Sequence, residues 1–578
     1  YWGMIAGVPR DANNVTPSEI EQRTLLKGAS AVVLDGSRAA KGVISITTKR
    51  GKIEERRIDV RANTGFFVPK SYPKYLGSAE YATLYNEARI NDGLDPAYTP
   101  EQIYNYGLGA NPYRYPDVDL YSSEFLKKAY NQSDVTAEIS GGTEKARFYT
   151  NVNLYNTQSL LKYGDAKKDH ITRFSVRGNI DVAIGKYVKA YADANATFYD
   201  SRAARGDFWK AAAELRPNRV SPLIPISYLM ENDKPSWTLV NNSNHLIDGK
   251  YLLGGTQLDQ TNAVADLYAA GYNTFTSRQY QFDMGVDIDL SSLLKGLSFN
   301  TQFAVDYATS YNKSYENTYA TYEPIWGNYN GKDVILSLNK YGNDEKDGVQ
   351  NVADSWNKQT ISFTSQFNYN TKIADQHSIS AMLIAAGYQQ SESAEYHKTS
   401  NVNLGLQLDY NYQQKYYASL GGALVHSARL PKNNRQAFSP SVTLGWRISN
   451  EDFLIDSSVV DELMLTASAS ILHTDLDIAD YYMYKGAYDQ SNGAWWGWAD
   501  GNLNHASQSL QGNNDKMKFI QRKEFSIGLR GSLLKKLFSF DASFFMNCME
   551  GLFTKATTLY PNYFNSIWPD TVPYTHLT

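Results

Sequence analysis

Cysteine is nearly absent from this sequence of 578 residues, in which Cys548 is the single thiol. One cysteine excludes a disulfide framework and a zinc site built from cysteines. Long apolar runs are also missing, because no stretch approaches the roughly 18 uncharged apolar residues that a transmembrane helix needs. Excess positive charge is missing too, since the formal net charge is −4. These absences argue against a helical membrane protein and against nucleic acid as a partner.

Motifs of catalysis are missing as well. None of the eight histidines stands in an H-E-x-x-H spacing, and there is no P-loop, GxSxG or GxGxxG motif. Asp475 and Asp477 form an acidic pair near the start of a predicted loop, where a solvated loop charge is the simpler interpretation. We therefore expect no enzyme activity, cofactor or bound metal, with an outer-membrane hydrolase as the remote alternative.

Aromatic residues are abundant by contrast, with 44 tyrosines, 23 phenylalanines and 10 tryptophans. They stand in runs in which apolar and polar residues alternate with a period of two. In the clearest run one face carries Tyr280, Phe282, Met284, Val286, Ile288 and Leu290. Such runs match the ~9–11 residues of a tilted membrane-spanning strand, and we count about 15 of them.

The connections between these runs differ in length. Short links, for example 141–146, 291–296 and 413–415, alternate with long ones at 68–133, 199–275, 308–358 and 474–521. Outer-membrane barrels have short periplasmic turns and long extracellular loops. The pattern predicts an all-β fold, a large antiparallel transmembrane β-barrel. It does not favour a soluble solenoid or propeller, because no fixed repeat period is present.

Residues 1–52 follow another pattern, which predicts a small α/β plug domain ahead of a barrel at 53–578. A helix is expected at 17–26 with Thr16 as its N-cap, then tight glycine-containing turns, then a strand at 42–49. Wide outer-membrane transporter barrels carry a plug in their lumen. Because a closed single-chain barrel usually has an even number of strands, we expect only part of a barrel here.

The stretch 26–51, LKGASA followed by GSRAAKGVISITTKRG, resembles the end of the plug in TonB-dependent receptors. It is most similar to the SusC/RagA branch of Bacteroidetes, and segments 75–88 and 438–454 resemble barrel parts of that branch. The resemblance implies a barrel of about 22 strands. It implies structural roles for the plug-motif residues Lys27, Gly28, Gly36, Ser37, Arg38 and Gly42, with Arg38 paired to wall carboxylates. Asp35 and Arg23 depart from the family pattern, and buried charges there would need partners.

The same resemblance implies a function and partners. It implies active import across the outer membrane, in contact with lipid, driven by TonB with ExbB and ExbD. A SusD-like surface lipoprotein would close over the barrel, in a heterotetramer of two transporters and two lipoproteins. Oligosaccharides are the expected ligand and oligopeptides the alternative. A passive porin or adhesin barrel is the less favoured hypothesis, because an ungated pore has no need of a plug.

Two loops carry candidate ligand residues. Aromatic rings stack on sugar faces while carboxylates accept hydrogen bonds from hydroxyls, and this chemistry makes both loops candidates. The alternative for the tryptophan-rich loop is packing on itself or on a partner protein, and for the other loop a structural scaffold. The candidate substrate-binding residues are Trp495, Trp496, Trp498 and Asp500 in one loop and Asp207, Phe208 and Trp209 in the other. A third loop, 343–354, partly resembles a calcium-binding loop but ends in Asp354 where a bidentate Glu is usual, so a polar loop is the better interpretation.

Overall fold

The computed structural model describes residues 15–478, 480–497, 503–555 and 574–576, most of them in long strands. No helix in these ranges has the length and hydropathy to cross a membrane. The helices are α1 (Gly28–Asp35), α2 (Ser78–Asn91), α3 (Pro100–Leu108), α4 (Phe208–Glu214), α5 (Lys234–Asn241) and α6 (Ala263–Ala269).

The strands comprise a first set up to the middle of the chain and a second set after it. The first set is β1 (Ile20–Leu26), β2 (Val43–Thr48), β3 (Glu54–Phe67), β4 (Tyr130–Gly142), β5 (Ala146–Gln158), β6 (His170–Ala183), β7 (Val188–Ala204), β8 (Leu223–Pro225), β9 (Tyr251–Leu253), β10 (Gly271–Asp289), β11 (Leu297–Glu316), β12 (Thr321–Tyr329) and β13 (Lys332–Tyr341). The second set is β14 (Val349–Ile373), β15 (His377–Glu392), β16 (Thr399–Tyr412), β17 (Tyr416–Ser427), β18 (Gln436–Arg447), β19 (Val460–Thr474), β20 (Ala487–Gly497), β21 (Leu503–Gln511), β22 (Ile520–Leu533), β23 (Phe538–Glu550), β24 (Phe553–Lys555) and β25 (Tyr574–His576).

One sheet of 15 strands forms the wall of the molecule. Its order runs β3, β4, β5, β6, β7, β10, β11, β14, β15, β16, β17, β18, β19, β22 and β23, and every neighbouring pair is antiparallel. The 15 strands of this sheet match the number of about 15 alternating runs counted in the sequence. Within the described ranges, the two outermost strands of the sheet do not pair with each other.

The two faces of the wall differ as the alternation predicts. On β16, Leu404 and Leu406 are 47% and 45% exposed, whereas Asn401 and Asn403 on the opposite face are each only 5% exposed. An apolar face that is open while the polar face is covered is the reverse of a soluble sheet, and it suits lipid outside and a filled lumen inside.

The two ends of the wall differ in the length of their connections. At one end, tight turns such as 413–415 join the strands, and Gln413 and Gln414 there have the positive φ of a primed hairpin turn. At the other end lie 68–129, 205–270, 317–348 and 475–519. Wall strands reach 25 residues in β14. They exceed the expected ~9–11 residues because they continue past the bilayer toward the long loops.

The long loops fold onto one another in a unit that we call the cap, formed by 68–129, 159–169, 205–270 and 317–348. It contains five of the six helices and its own buried clusters. One cluster includes Phe125, Leu161, Phe208 and Leu267, and so joins three loops that are distant in sequence. By the rule of long extracellular loops, the cap lies on the outer side of the membrane.

Residues 15–50, which we call the plug segment, form a separate small sheet against the polar face of the wall. Strand β1 pairs antiparallel with β2, from Leu26 opposite Val43 to Ile20 opposite Thr48. The helix predicted at 17–26 is therefore wrong: Pro17 begins only one 3-10 turn, which ends at Glu19. Pairing with β2 prevails there over the local signal of a helix start.

Candidate functional site

Glu19, at the end of the 3-10 turn, joins the plug segment to the wall. Its side chain is 1% exposed, and its carboxylate accepts a hydrogen bond of 2.6 Å from Nε of Arg177 on β6. Thr16 Oγ1 donates to the other carboxylate oxygen at 2.6 Å. A buried carboxylate is tolerated only with such partners, so this pair fixes the position of the segment on the wall.

Lys49 and Arg50 make a second set of ionic contacts at the same end of the plug hairpin. Arg50 donates from Nε to Asp181 at 3.0 Å and from Nη1 to Asp193 at 2.7 Å, and thus joins β6 to β7. Lys49 Nζ lies 2.8 Å from Glu138 on β4. The guanidinium has a planar fork of donors, which lets one side chain hold two carboxylates at once.

The opposite end of the plug segment, formed by α1 and the 3-10 turn Gly36–Lys41, contacts the other side of the wall. Ser37 Oγ donates to Asp475 at 2.8 Å and accepts from Asn401 Nδ2 at 2.7 Å. Arg522 on β22 donates to the carbonyl of Ala40 at 2.9 Å. Because the segment is held at both ends, it crosses the lumen from β4–β7 to β16–β22.

Two of the plug-motif glycines have a positive φ and lie against side chains of the wall. Gly36 has φ +70°, and a Cβ there would lie 3.0 Å from Cβ of Asn403. Gly28 has φ +61°, and a Cβ there would lie 2.9 Å from Glu524 Oε2, the end of a flexible side chain. Both positions therefore favour glycine for conformation, and Gly36 does so for close approach to the wall as well. Gly42, with φ +102°, faces the carbonyl of Leu26 and closes the β1–β2 hairpin.

Three charged residues of the motif region were expected to have particular surroundings. The guanidinium of Arg38 lies 4.6 Å from the ring centroid of Tyr388 on β15, which is a cation–π contact with the wall. Among the described residues it makes no ion pair with a carboxylate, in contrast to the expected pairing. Asp35 and Arg23 are both exposed. Their charges therefore remain in contact with solvent, and the buried partners that were expected for them are not needed. Lys27 is exposed as well and lies at the N-terminus of α1.

The loop 475–519 descends onto the plug segment. Ile478 and Met517, from the two ends of this loop, share a buried cluster with Ala31, Ala39 and Ala40 of the segment. The interpretation of Asp475 as a solvated loop charge is wrong, because this side chain is 8% exposed and bonds to Ser37. Asp477 pairs with Lys41 at 2.7 Å.

The predicted tryptophan cluster belongs to this same loop. Trp495 and Trp496 lie on β20, paired with His505 and Asn504 of β21. Trp498 and Asp500 lie outside the described residues. The ligand role of all four stays a prediction.

The second predicted ligand loop divides into packing and exposed residues. Asp207 caps α4 by accepting a bond from the backbone N–H of Lys210, and Phe208 is 4% exposed in the cap core. Trp209 is 41% exposed, and its ring lies 6.1 Å from that of Tyr121, which stacks in turn on the exposed Tyr75. We call Tyr75, Tyr121 and Trp209 the aromatic row; of the three predicted residues, only Trp209 keeps a free face.

The loop with calcium-like spacing does not gather its carboxylates. Asp344 accepts from His245 Nδ1 at 2.7 Å, while Asp354 lies in β14 and accepts from Asn312 at 2.7 Å. Within the described residues, no group of three or more metal-ligating side chains is present.

Sequence analysis missed the wall partners of the plug segment. Arg177 and Asp181 stand on the polar face of β6 and Asp193 on that of β7, although the sequence pattern places Asp181 at the start of a short link, 181–186. A charge at that depth is costly unless a partner faces it. The signal was therefore in the sequence, but which residue of the plug meets which wall charge depends on the tertiary arrangement.

Comparison with known proteins gives relatives in sequence and in fold. No family model matches the chain. The TonB-dependent receptor P26 of Formosa agariphila is 22% identical over 507 residues, which cover 85% of this chain and 46% of that protein. The TonB-dependent receptor SusC of Bacteroides thetaiotaomicron is 24% identical over 560 residues, which cover 91% and 50%. The chain spans about half the length of the curated relatives it matches.

The solved structure of the RagAB peptide transporter has a TM-score of 0.69 to this chain at 16% identity, covering 97% of this chain and 61% of that one. The RagAB peptide importer in its "open-open" state gives a TM-score of 0.67. These findings confirm the predicted fold class, the outer-membrane location and the resemblance to SusC/RagA-like TonB-dependent transporters.

Proposed function

From a chain that is similar in sequence and in fold to SusC/RagA-like TonB-dependent outer-membrane transporters, we propose active import as its function. The cargo is an oligosaccharide too large for a porin. The partners are a SusD-like surface lipoprotein, which closes over the cap, and TonB with ExbB and ExbD on the periplasmic side. Two transporters and two lipoproteins make up the assembly.

The observation that carries this proposal is the plug segment held across the lumen at both ends. Glu19 and Arg50 hold one end on β4–β7, and Ser37 holds the other on β16 and the loop 475–519. A passive pore gains nothing from such an obstruction. Import then requires the segment to move, and the polar contacts at the β4–β7 end can be exchanged for contacts with water at modest net cost.

The coupling from ligand to plug follows from the loop 475–519. This loop contains the paired strands β20 and β21, and its base is packed on α1 and the 3-10 turn of the plug segment. A ligand that changes the position of the loop therefore also changes the stability of the plug contacts. By linkage, such a ligand favours the plug state that best fits the loop it has moved. All of these steps are non-covalent.

For the cargo, the aromatic row supports an oligosaccharide. Trp209 and Tyr75 expose their rings at the outer surface, 41% and 57% respectively, where sugar faces can stack on them. The second candidate is an oligopeptide, which is supported by the fold shared with a structure named as a peptide transporter.

Locking the plug segment to the wall tests the transport proposal. In a Cys548→Ser background, Ser37→Cys with Asn401→Cys places two thiols where a hydrogen bond of 2.7 Å now joins the plug segment to β16. A matched control pair, Thr64→Cys with Ser133→Cys, replaces a bond of 3.0 Å between neighbouring wall strands. We expect oxidation to stop growth on the cargo only for the first pair, and a reductant to restore it.

Equal growth of the oxidised lock and the oxidised control, with the Ser37–Asn401 disulfide verified by mass spectrometry, would contradict a moving plug. Growth of a deletion strain on single glycans and on peptides separates the two cargo candidates. If use of every glycan is unaffected while peptide use fails, the oligosaccharide proposal is wrong and the peptide proposal replaces it.

A further inference from the structure

The cap contains a cavity of about 440 Å³ that lies apart from the lumen and from the aromatic row. Three loops contribute to it: 112–125, Tyr163 of the β5–β6 loop, and three stretches of 205–270. Its volume falls within the range of small-ligand pockets. Phe125 and Val264 of the cap core form its apolar floor.

Tyrosine rings make up much of the cavity wall. Tyr163 and Tyr268 lie with ring centroids 6.1 Å apart, and Tyr113 and Tyr251 with centroids 6.5 Å apart. The two rings of each pair come from different loops, so the packing of these loops in the cap brings the four rings together. Faces of aromatic rings are negative at their centre and attract cations.

Carboxylates stand at the opening. Asp117, Glu124 and Asp248 all line the cavity and are all exposed to solvent. The charge of Asp248 acts inside the cavity: after burial, it is a cause of the raised pKa of Tyr268, which reaches about 12. Glu124 contributes in the same direction to the raised pKa of Tyr113, for which burial is again the largest cause. The carboxylates of Asp248 and Glu124 therefore lie close enough to act on the charge of the tyrosine rings.

One lysine of the chain already lies beside these rings. Lys162 Nζ is 5.4 Å from the ring centroid of Tyr163, and it donates to the backbone carbonyls of Ser123 and Glu124 at 3.2 Å. These bonds hold its ammonium on carbonyl oxygens, and within the described residues it makes no ion pair with Glu124 or Asp248. Its position shows the geometry with which an ammonium group rests on this ring. Asp117 already accepts bonds of 2.8 and 2.9 Å from the backbone N–H and the hydroxyl of Ser78.

We infer that this cavity is a binding site for an organic ammonium group, seated on the tyrosine rings with its charge toward Asp248 and Glu124. Such a group occurs on amino sugars and on basic peptides, and the site recognises the chemistry that the two share. The inference deepens the proposed function, on which it rests only for the origin of the ligand, because binding does not require transport.

Titration calorimetry on the purified protein in detergent tests the site. The probes are glucosamine trisaccharide, its fully N-acetylated form, trilysine and triglutamate. We expect the two ammonium probes to bind and the acetylated and acidic probes not to bind. Asp248 has φ +50°, a conformation that Asn also accepts, so Asp248→Asn removes the charge without straining the turn. Together with Glu124→Gln it should weaken binding by about 10-fold, since each partly screened charge contributes about 3-fold.

Asp92→Asn, an exposed carboxylate in the same cap but outside the cavity, is the matched control and should leave the affinity unchanged. Tyr268→Leu tests the ring separately and should weaken both ammonium probes. Equal affinity of the double variant and the control, or equal binding of the acetylated trisaccharide, would overturn the inference. Preference for the glucosamine trisaccharide over trilysine assigns the source as amino sugar, and the reverse assigns it as peptide. The two proposals can fail separately. If the ammonium probes bind but the oxidised Ser37–Asn401 lock still permits growth, the binding site is supported and the transport proposal is wrong.

Discussion

Single residues decide how firmly the plug segment is held, and Glu19 with Arg177 is the pair to test. Both side chains are buried, at 1% and 9% exposure. Removing one partner of a buried ion pair costs about 3–5 kcal/mol, because the other charge stays buried without compensation. We therefore expect Arg177→Met to speed amide hydrogen exchange strongly in β1 and β2. Glu19→Gln combined with Arg177→Met should recover part of the loss; a double variant as labile as the single one would refute a specific pair.

In the cap, Asp169 predicts a pH dependence. Burial raises the pKa of its carboxyl to about 6 from an ordinary value of 3.8, although the backbone N–H of Ala204 and the charge of Arg202 oppose the shift. The folded state thus binds the proton more tightly than the unfolded state. Its stabilising contribution is present below pH 4 and is lost as the pH rises through about 6. Because solvent screens the partly hydrated carboxyl, this contribution stays below about 3 kcal/mol.

Asp169→Asn should remove this part of the pH profile. The difference in hydrogen exchange of the Ala204 amide between the two proteins, followed from pH 4 to pH 7, isolates the group from other titrating residues. The amide donates directly to Asp169 at 2.8 Å, so it reports on this contact. Parallel profiles in the two proteins would show that the carboxyl titrates at its ordinary value.

At the scale of elements, the turn after α1 depends on Gly36. Gly36→Ala combines a left-handed φ with a contact of 3.0 Å to Asn403, whereas Gly93→Ala has a similar φ of +73° and nothing within 4 Å. The second variant therefore measures the strain of a positive φ without a wall contact, about 1 kcal/mol, whereas Gly36 also has a ψ of −153° that favours glycine further. We expect Gly36→Ala to cost more than Gly93→Ala in thermal unfolding and to loosen α1 from β16. Equal losses would mean that the wall yields to the added methyl group.

The wall was predictable from sequence because each strand carries its own alternation. The neighbours Asn403 and Leu404 show by their order alone that they point to opposite faces of a strand. Counting the segments with this alternation gives the number of strands. Strand β1 was not predictable in this way, since its pairing with β2 lies 17 or more residues away along the chain and competes with Pro17 as a helix start. The burial of Asp475 depends likewise on Ser37, 438 residues away in sequence.

The cap was not predicted at all, for a related reason. Its core brings Phe125, Leu161 and Leu267 together from three loops, none of which shows a sustained period. The ligand role predicted for Phe208 shows the consequence, since this ring is buried in that core. The sequence shows that an aromatic residue stands in a loop, but only the assembled loops show whether its ring faces solvent.

For the whole molecule, wall and plug segment are separable in principle. The wall strands bond to each other along their full length, whereas the segment bonds to the wall mainly through side chains. Deleting residues 1–52 from the complete transporter should therefore leave a folded wall. The deletion should increase the ion conductance that the protein gives to a planar lipid bilayer. Conductance no higher than that of the undeleted protein would show that other parts of the molecule close the lumen.

The two ends of the plug segment respond differently to the medium. The β4–β7 end is held by the buried Glu19–Arg177 pair and by the more exposed pairs of Arg50 with Asp181 and Asp193. The Arg50 pairs weaken as ionic strength rises and the Debye length shortens, whereas the buried pair is screened much less. The opposite end shares an apolar cluster of Ala31, Ile478 and Met517, which sulfate strengthens by its exclusion from protein surfaces. A concentrated sulfate solution therefore weakens the contacts at the β4–β7 end while it strengthens those at the opposite end. The plug segment should accordingly separate from the wall first at the β4–β7 end.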